Sequence, residues 1–243
     1  MLSVVAVGLV VAAAPLSLVF AKILHLPPSQ QGVFSQAVFR GNLAYMAFPV
    51  IFASLGEAGL RKAALTAAFL IPVMNFLAVT VLQLSNGADE RWGKLALGVL
   101  TNPLVLSAIL GLFLSASSWQ PWVWLKNTLE ILANFALPAA LLALGAQLEI
   151  PTFAEVGWPL FWACLGKLLF LPAAGFLLLK VNGVQPLDLQ VGVLLLASPT
   201  AVASYPVAVA LGGDRRLAGT AVLVSTLLAF PTYVLWGLLC GVG

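Results

Sequence analysis

The residues best suited to bind a ligand lie in a polar, proline-containing stretch, 198–214, of an otherwise apolar span. It holds Pro199 and Pro206 together with the hydroxyl residues Thr200 and Ser204. A proline inside a helix removes one backbone hydrogen bond and clashes with a carbonyl of the preceding turn. In lipid that loss is tolerated only where protein or a water-filled cavity satisfies the freed groups. The stretch therefore predicts a broken membrane helix, and broken helices hold the substrate in many transporters.

A matching stretch, 42–57, lies 157 positions earlier and repeats the pattern in the same register without a gap. Pro206 falls on Pro49, and Asp214, which follows a glycine, falls on Glu57, which also follows one. Matches between alanines or valines are expected by chance in so apolar a chain, but a shared register for proline and for a glycine–acid pair is not. We infer an internal repeat.

The composition excludes a soluble fold. Hydrophobic residues make up 62% of the 243 residues and charged residues only 8%, whereas soluble domains carry roughly 25% charged residues. The sequence therefore predicts an all-α polytopic membrane protein surrounded by lipid. Its net charge of +3 rests on few residues, which indicate membrane topology rather than a surface for nucleic acid.

The order of the spans indicates how the repeats are related. About 20 apolar residues cross a bilayer as a helix, which predicts eight spans, at roughly 1–24, 36–55, 61–84, 93–116, 127–148, 158–180, 188–211 and 217–242. The two proline-containing crossover helices, 36–55 and 188–211, are an odd number of spans apart, so the repeats are inverted, as in many secondary transporters. The first repeat, 1–92, is expected to have three helices and the second, 93–243, five, which leaves the first repeat two N-terminal helices short.

Each break would expose backbone N–H groups at the start of a half-helix. Such an end carries roughly half a positive charge, so two of them facing each other would form an anion site without a basic side chain. Polar side chains beside the breaks would orient the ligand by hydrogen bonds. The alternative is that the prolines only kink packed helices and the polar groups bond neighbouring backbone. The candidate ligand-binding residues are Asn42, Pro49, Pro199, Thr200, Ser204 and Pro206.

Two further polar residues are candidates. Asn102, within Thr-Asn-Pro at the start of the second repeat, either faces the crossover as a second amide ligand or simply begins a helix. Lys167 lies near the middle of the span 158–180, and a lysine inside the membrane is by default a functional hypothesis. It would serve as a counter-charge for an anion or as a support that donates to carbonyls freed by Pro172.

Several functions are disfavoured because the spans lack the residues that those functions require. Every aspartate and glutamate lies near a span end, so neither a carrier that moves protons on membrane carboxylates nor an intramembrane aspartyl protease has its groups. The lone histidine, His25, also lies at a span end, without a G-x-S-x-G elbow. No metal-ligand cluster occurs. We expect no enzyme activity, no cofactor and no metal.

Three motifs together resemble the auxin efflux carrier family, which spans plant auxin exporters and bacterial carriers of small carboxylates. They are RGNLAYMAFPVIFASLGEAGL at 40–60, NFALPAALLALGAQL at 134–148 and SPTAVASYPVAVALGGDRRLAGTAVLVSTLLAFPT at 198–232. The resemblance implies ten helices in two inverted five-helix repeats, which cross where the fourth and ninth helices break. It also implies an elevator-type carrier, often a homodimer, that moves organic anions without ATP across the bacterial cytoplasmic membrane.

The resemblance also assigns roles along the chain. The transport domain would comprise 1–84 and 158–243, and only a partial scaffold domain, 93–148, would remain because the chain begins at the family's third helix. The family's substrate-binding asparagines and crossover prolines would fall on Asn42, Asn102, Pro49 and either Pro199 or Pro206.

The leading expectation is a secondary transporter of a small organic anion such as a carboxylate. One alternative is a sodium-coupled symporter of the related bile-acid type, which shares the crossover architecture. Another is a truncated, non-transporting membrane scaffold or sensor that kept the fold after losing two helices. Sodium dependence of uptake separates the first two functions, and ligand binding without flux would favour the third.

Overall fold

The computed structural model describes residues 1–86, 101, 103–117, 121–146 and 153–242. Within these ranges the chain forms helices joined by short turns, and its one β-bridge pairs Gly41 with Thr200. Four of the described helices are long and apolar enough to cross a membrane. The prediction of an all-α polytopic membrane protein is confirmed.

The helices are numbered in chain order. They are α1 Leu2–Ile23, α2 Pro28–Phe39, α3 Leu43–Ala47 continuing as Phe48–Ser85, α4 Pro103–Ala116, α5 Val123–Ala146, α6 Phe153–Leu165 continuing through Gly166–Phe170 and Leu171–Val181, α7 Pro186–Leu196, α8 Ser204–Ala210 and α9 Arg215–Leu239. The predicted spans 93–116 and 127–148 lie partly outside the described residues, and α4 and α5 are their described parts.

Two crossover helices are present, and each is broken. The first consists of α2, the break 40–42 and the part of α3 that precedes a sharp kink at Gly56. The second consists of α7, the break 197–203 and α8. Gly56 has φ 63° and ψ −161°, a conformation that glycine adopts without the penalty a side chain would bring. The kink therefore ends the first crossover helix and starts the next span without a loop.

The first crossover helix begins earlier than the expected residue 36. Pro28 occupies the start of α2, as Pro186 does in α7, and proline is favoured there because the first N–H groups of a helix have no acceptor. Ser35 and Gln36 are both completely buried in α2. The hydropathy rule missed this half because α2 is surrounded by protein, which can satisfy polar side chains, and not by lipid.

The breaks do not lie at the prolines shared by the repeats. Pro206 lies in the first turn of α8, and Pro49 follows the π-helical turn Leu43–Ala47. A second π-helical turn, Gly166–Phe170, likewise precedes a proline in α6. Such turns are frequent at functional sites, and here they lie where a proline withholds its hydrogen bond.

The two crossover helices form the centre of the fold. The main core joins side chains of α1, α3, α6, α7 and α9, with Phe39 and Leu43 on either side of the first break. In α7 the six consecutive residues 191–196 are all buried, as expected of a helix enclosed on every side. Large apolar side chains exposed on α1 and α9 face outward, the arrangement that suits a lipid surrounding.

Candidate functional site

The two breaks cross and satisfy each other's backbone groups. The N–H of Asn42 donates to the carbonyl of Pro199 at 2.8 Å, and the N–H of Ala201 donates to the carbonyl of Arg40 at 3.0 Å. These two bonds form the antiparallel bridge between Gly41 and Thr200. Some of the backbone N–H and carbonyl groups that lack helical partners at the breaks therefore bond each other and hold the crossing together.

The start of α3 keeps free donors. Met46 and Ala47 both donate their N–H groups to the carbonyl of Asn42, at 3.2 Å. No acceptor within the described residues is found for the N–H groups of residues 43–45. The first N–H groups of a helix lack intrahelical partners and carry a partial positive charge. This half-helix runs from residue 43 to the kink at Gly56, long enough to carry such a dipole.

These donors open onto a cavity of about 200 Å³ at the crossing. Its walls are residues 40–42 of the first break, residues 43–45 at the start of α3, Ile71, Met74 and Asn75 further along α3, and residues 201–203 of the second break. Two larger grooves, of about 340 and 350 Å³, are lined almost wholly by apolar side chains. The crossing cavity is smaller but carries the polar groups, so we take it as the candidate ligand site.

Arg40 is the charged group of this cavity. Its side chain is 3% exposed; Nη2 donates to Asn75 Oδ1 at 2.8 Å and Nη1 donates to the carbonyl of Ala203 at 3.3 Å. A guanidinium has five N–H donors, so three are left for a ligand. No carboxylate lines the cavity, and Arg40 has no ion pair within the described residues. A buried cation without an anion is costly, which makes the cavity complementary to a negative ligand.

Arg40 was not among the residues expected from the sequence, because a basic residue beside a short polar run indicates a span end. The signal that would have revealed it is Pro28 at the start of α2. At 1.5 Å per residue, a helix that begins at a membrane surface with Pro28 places Arg40 roughly 18 Å from that surface, a depth that lies within a hydrocarbon core of roughly 30 Å.

Asn42 lies in the wall of the cavity, as its predicted role requires. It is 5% exposed, and its carboxamide does not cap the helix that it precedes. No hydrogen bond to that carboxamide is found among the described residues. A buried amide in this position has both donors and an acceptor available for a ligand.

Thr200 of the second break and Ser204 at the start of α8 lie beside α2. Thr200 Oγ1 donates to the carbonyl of Ala37 at 2.9 Å, and the N–H of Thr200 donates to Ser225 Oγ at 3.0 Å. The Oγ atom of Ser204 is buried without a partner in the described part of the chain, next to Gln36, whose Nε2 donates to the Ser204 carbonyl at 3.1 Å. Neither hydroxyl lines the cavity.

The remaining predicted residues lie around the cavity or outside the described chain. Pro199 lies in the second break, whereas Pro49 and Pro206 lie at the starts of the helical segments that follow the breaks, and none of the three is in the cavity wall. Lys167 is completely buried, and its Nζ donates to the carbonyl of Leu196 at 2.9 Å. Asn102 falls outside the described residues, so its role stays a prediction.

Comparisons with known proteins agree with this architecture. Residues 92–237 match the model of the family described as "Membrane transport protein". A protein of Rhizobium meliloti (strain 1021) described as "Putative malonate transporter" is 26% identical over 197 residues, which cover 79% of this chain. The chain spans 62% of that relative's length. The resemblance seen in the motifs is confirmed, and the chain belongs to the membrane transport protein family.

Proposed function

We propose that this chain carries a small organic anion of the carboxylate class across the membrane and binds it in the crossing cavity. The observation that carries the proposal is the buried guanidinium of Arg40, which lies beside free helix N–H groups and has no acidic residue in the same cavity. Arginine binds a carboxylate through two parallel N–H···O bonds, and a helix N-terminus is a ready anion site.

The size of the cavity favours a small ligand. Sites for drug-sized molecules enclose roughly 300–1,000 Å³, whereas this cavity encloses about 200 Å³. Its donors belong to two groups, the guanidinium of Arg40 and the N–H groups of residues 43–45 with the Asn42 carboxamide. A dicarboxylate could place one carboxylate on each group. Because the relative from Rhizobium meliloti is described as a malonate transporter, malonate is the first substrate to test.

Contacts at the two outer ends of the crossover helices support movement of these helices as one unit. Lys62 of α3 forms an ion pair with Asp188 in the first turn of α7. Gln30 in the first turn of α2 donates to Asp214, the N-cap residue of α9, at 2.9 Å. Each contact ties the first half of one crossover helix to the other repeat. Movement of this unit, 1–84 with 158–243, against 93–148 would give alternating access without ATP.

We infer further that the carrier works in a bacterial cytoplasmic membrane, because the relative that it resembles comes from a bacterium. We also infer that it forms the homodimer implied by the family resemblance. Asn102 is retained as a second amide ligand in this proposal. Pro199 would act by fixing the second break, Pro49 and Pro206 by starting the half-helices that follow the breaks, and Thr200 and Ser204 by holding the second crossover helix against α2.

Uptake of radiolabelled malonate into liposomes containing the purified chain tests the proposal. Arg40→Gln removes the charge and should lower kcat/KM about a hundredfold, as expected when one partner of a buried charge pair is lost. Arg61→Gln is the matched control, since the Arg61 side chain is 78% exposed and pairs with Glu57 on the surface. The proposal would be contradicted if the wild type took up neither malonate nor any other small carboxylate. Equal uptake rates in wild type and Arg40→Gln would also contradict it.

A further inference from the structure

The carbonyl end of α7 lies in the middle of the fold and needs donors. The last carbonyls of a helix have no N–H partner within it, and this end carries a partial negative charge. The Leu195 carbonyl accepts from Ser198, through its N–H at 3.3 Å and its Oγ at 2.7 Å. The Leu196 carbonyl accepts from Lys167 Nζ at 2.9 Å. Lys167, from another helix, therefore caps the carbonyl end of the first half of the second crossover.

The ammonium of Lys167 is held within the crossing itself. A Cβ placed on Gly41 would lie 3.2 Å from Lys167 Nζ and 2.3 Å from Ser198 Oγ. The absence of a side chain at Gly41 thus leaves the space in which the lysine head reaches the second break. Lys167 is completely buried, and it lies behind the wall of the ligand cavity rather than in it.

No carboxylate of the described chain neutralises this lysine. Glu57 pairs with Arg61 and Glu130 with Lys126, both on the surface. Asp188 pairs with Lys62, and Asp214 accepts from Gln30 and from the N–H of Leu217. The negative charge that Lys167 contacts within the described chain is therefore the partial charge at the carbonyl end of α7.

In carriers with broken membrane helices, the carbonyl groups of the unwound backbone and of the C-terminal ends of half-helices coordinate the coupling Na⁺ or H⁺. We propose that Lys167 is a positioning residue that occupies this place as a covalently attached cation, so that anion transport by this chain requires no Na⁺. This inference rests on the proposed function, because it concerns the coupling of the same carrier. It separates the chain from a sodium-coupled symporter with the same architecture.

The first test uses the wild-type chain in liposomes. Initial rates of malonate uptake are compared in NaCl, KCl and N-methylglucamine chloride at equal ionic strength and zero membrane potential. We expect the three rates to agree within about twofold, since the site is already filled by the ammonium. A tenfold or greater stimulation by Na⁺ would overturn the inference.

The second test removes the ammonium and leaves the position of Nζ empty, because methionine has one side-chain heavy atom fewer than lysine. Lys167→Met should lower uptake in N-methylglucamine chloride about tenfold, the effect of losing one charge-assisted hydrogen bond. Na⁺ or methylammonium, which can enter the vacated place, should restore at least part of the rate. Lys180→Met is the matched control, because Lys180 belongs to the same helix but is exposed, with its Nζ 5.3 Å from the Phe176 ring centroid. Wild-type uptake in Lys167→Met, or a loss that neither cation restores, would overturn the inference.

A third readout does not depend on transport. A ligand that binds only the folded state raises the midpoint of thermal unfolding, so Na⁺ and methylammonium should raise the midpoint of Lys167→Met in detergent and leave that of the wild type unchanged. No rise in Lys167→Met, or an equal rise in both proteins, would count against the inference. The two proposals fail differently: a wild type without carboxylate uptake refutes the proposed function, whereas a wild type whose malonate uptake needs Na⁺ refutes only the role of Lys167.

Discussion

The two crossover helices have the same plan, but they use their polar residues differently. The first opens over three residues, 40–42, and presents the side chains of Arg40 and Asn42 to the cavity. The second opens over seven residues, 197–203, and lines the cavity only through residues 201–203, while the Thr200 hydroxyl bonds the carbonyl end of α2. In the proposed carrier, one break therefore offers groups to a ligand and the other holds the crossing together.

The carbonyl ends of the first halves differ in the same way. The end of α2 is capped by a neutral hydroxyl, that of Thr200, and the end of α7 by the ammonium of Lys167. Each crossover region thus contains one buried cation, but Arg40 lies at the ligand cavity and Lys167 lies behind it. This arrangement predicts that substitutions in the first break change ligand binding and that substitutions in the second change stability.

Alanine at Gly41, where the two breaks touch, should have the largest effect because it disturbs both. Its Cβ would lie 2.3 Å from Ser198 Oγ, a distance that forces the hydroxyl away from the Leu195 carbonyl. We expect the free energy of unfolding to fall by about 1–3 kcal/mol, as in other overpacked sites, and malonate uptake to be lost. Thermal unfolding in detergent and liposome uptake measure the two effects.

The control for this substitution is Gly8→Ala in α1, where no atom lies within 4 Å of the added Cβ. A glycine-to-alanine change inside a helix is favourable by roughly 0.5–1 kcal/mol, so this variant should be at least as stable as the wild type. If Gly41→Ala and Gly8→Ala unfold at the same temperature and transport equally well, the two breaks do not depend on their close approach.

Asn42→Ala should alter ligand binding alone. The carboxamide is buried in the cavity wall and has no partner in the described chain, so its removal leaves no protein group unsatisfied. We expect the KM for malonate to rise about tenfold, which corresponds to one hydrogen bond to a charged ligand, with no change in the unfolding midpoint. A lower unfolding midpoint with an unchanged KM would mean that Asn42 stabilises the crossing and does not bind the ligand.

The sequence was sufficient to find the crossing but not the partners of its side chains. Proline, glycine and acid in one register located both broken helices, since these residue types constrain the backbone wherever they occur. Thr200 was expected to orient a ligand, yet its hydroxyl bonds Ala37, 163 positions earlier. A hydroxyl has the same chemistry toward a ligand and toward a distant carbonyl, so only the three-dimensional arrangement distinguishes the two.

Arg40 was missed in the sequence because its charge is typical of a residue at a span end. Its charge made it resemble a residue at a membrane surface, because hydropathy treats each segment as if it were exposed to lipid. In the structure α2 is enclosed by protein, and Asn75 and the Ala203 carbonyl solvate the guanidinium. Burial of a charge depends on partners contributed by other helices, and these partners cannot be assigned from the charge pattern of one segment.

Thr200→Val should change stability and leave affinity unaltered. The substitution keeps the shape of the side chain but removes the donor to the Ala37 carbonyl, which remains buried without that hydrogen bond. We expect the free energy of unfolding to fall by about 1 kcal/mol and the KM for malonate to stay within about twofold of the wild type. A KM increase like that of Asn42→Ala would mean that the second break also contacts the ligand.

The smallest effects should come from the two outer contacts, one of which is an ion pair and the other a hydrogen bond from an uncharged donor. Lys62 and Asp188 form an ion pair whose side chains are 35% and 23% exposed, whereas Gln30 donates a hydrogen bond to Asp214. An ion pair of this exposure is worth about 0.5–1 kcal/mol at most, and its attraction weakens as salt rises. Lys62→Met should therefore lower the unfolding midpoint slightly at low salt and hardly at all at about 1 M NaCl, where the Debye length is roughly 3 Å.

Gln30→Leu provides the comparison for that measurement. It removes a neutral donor, so its effect on the midpoint should be small and should vary less with salt than that of Lys62→Met. The same salt dependence in both variants would contradict the assignment of an ion pair to Lys62 and Asp188 and of a hydrogen bond from an uncharged donor to Gln30 and Asp214. If the two contacts hold the crossover helices as one unit, both variants should keep the wild-type KM for malonate, because neither contact reaches the cavity.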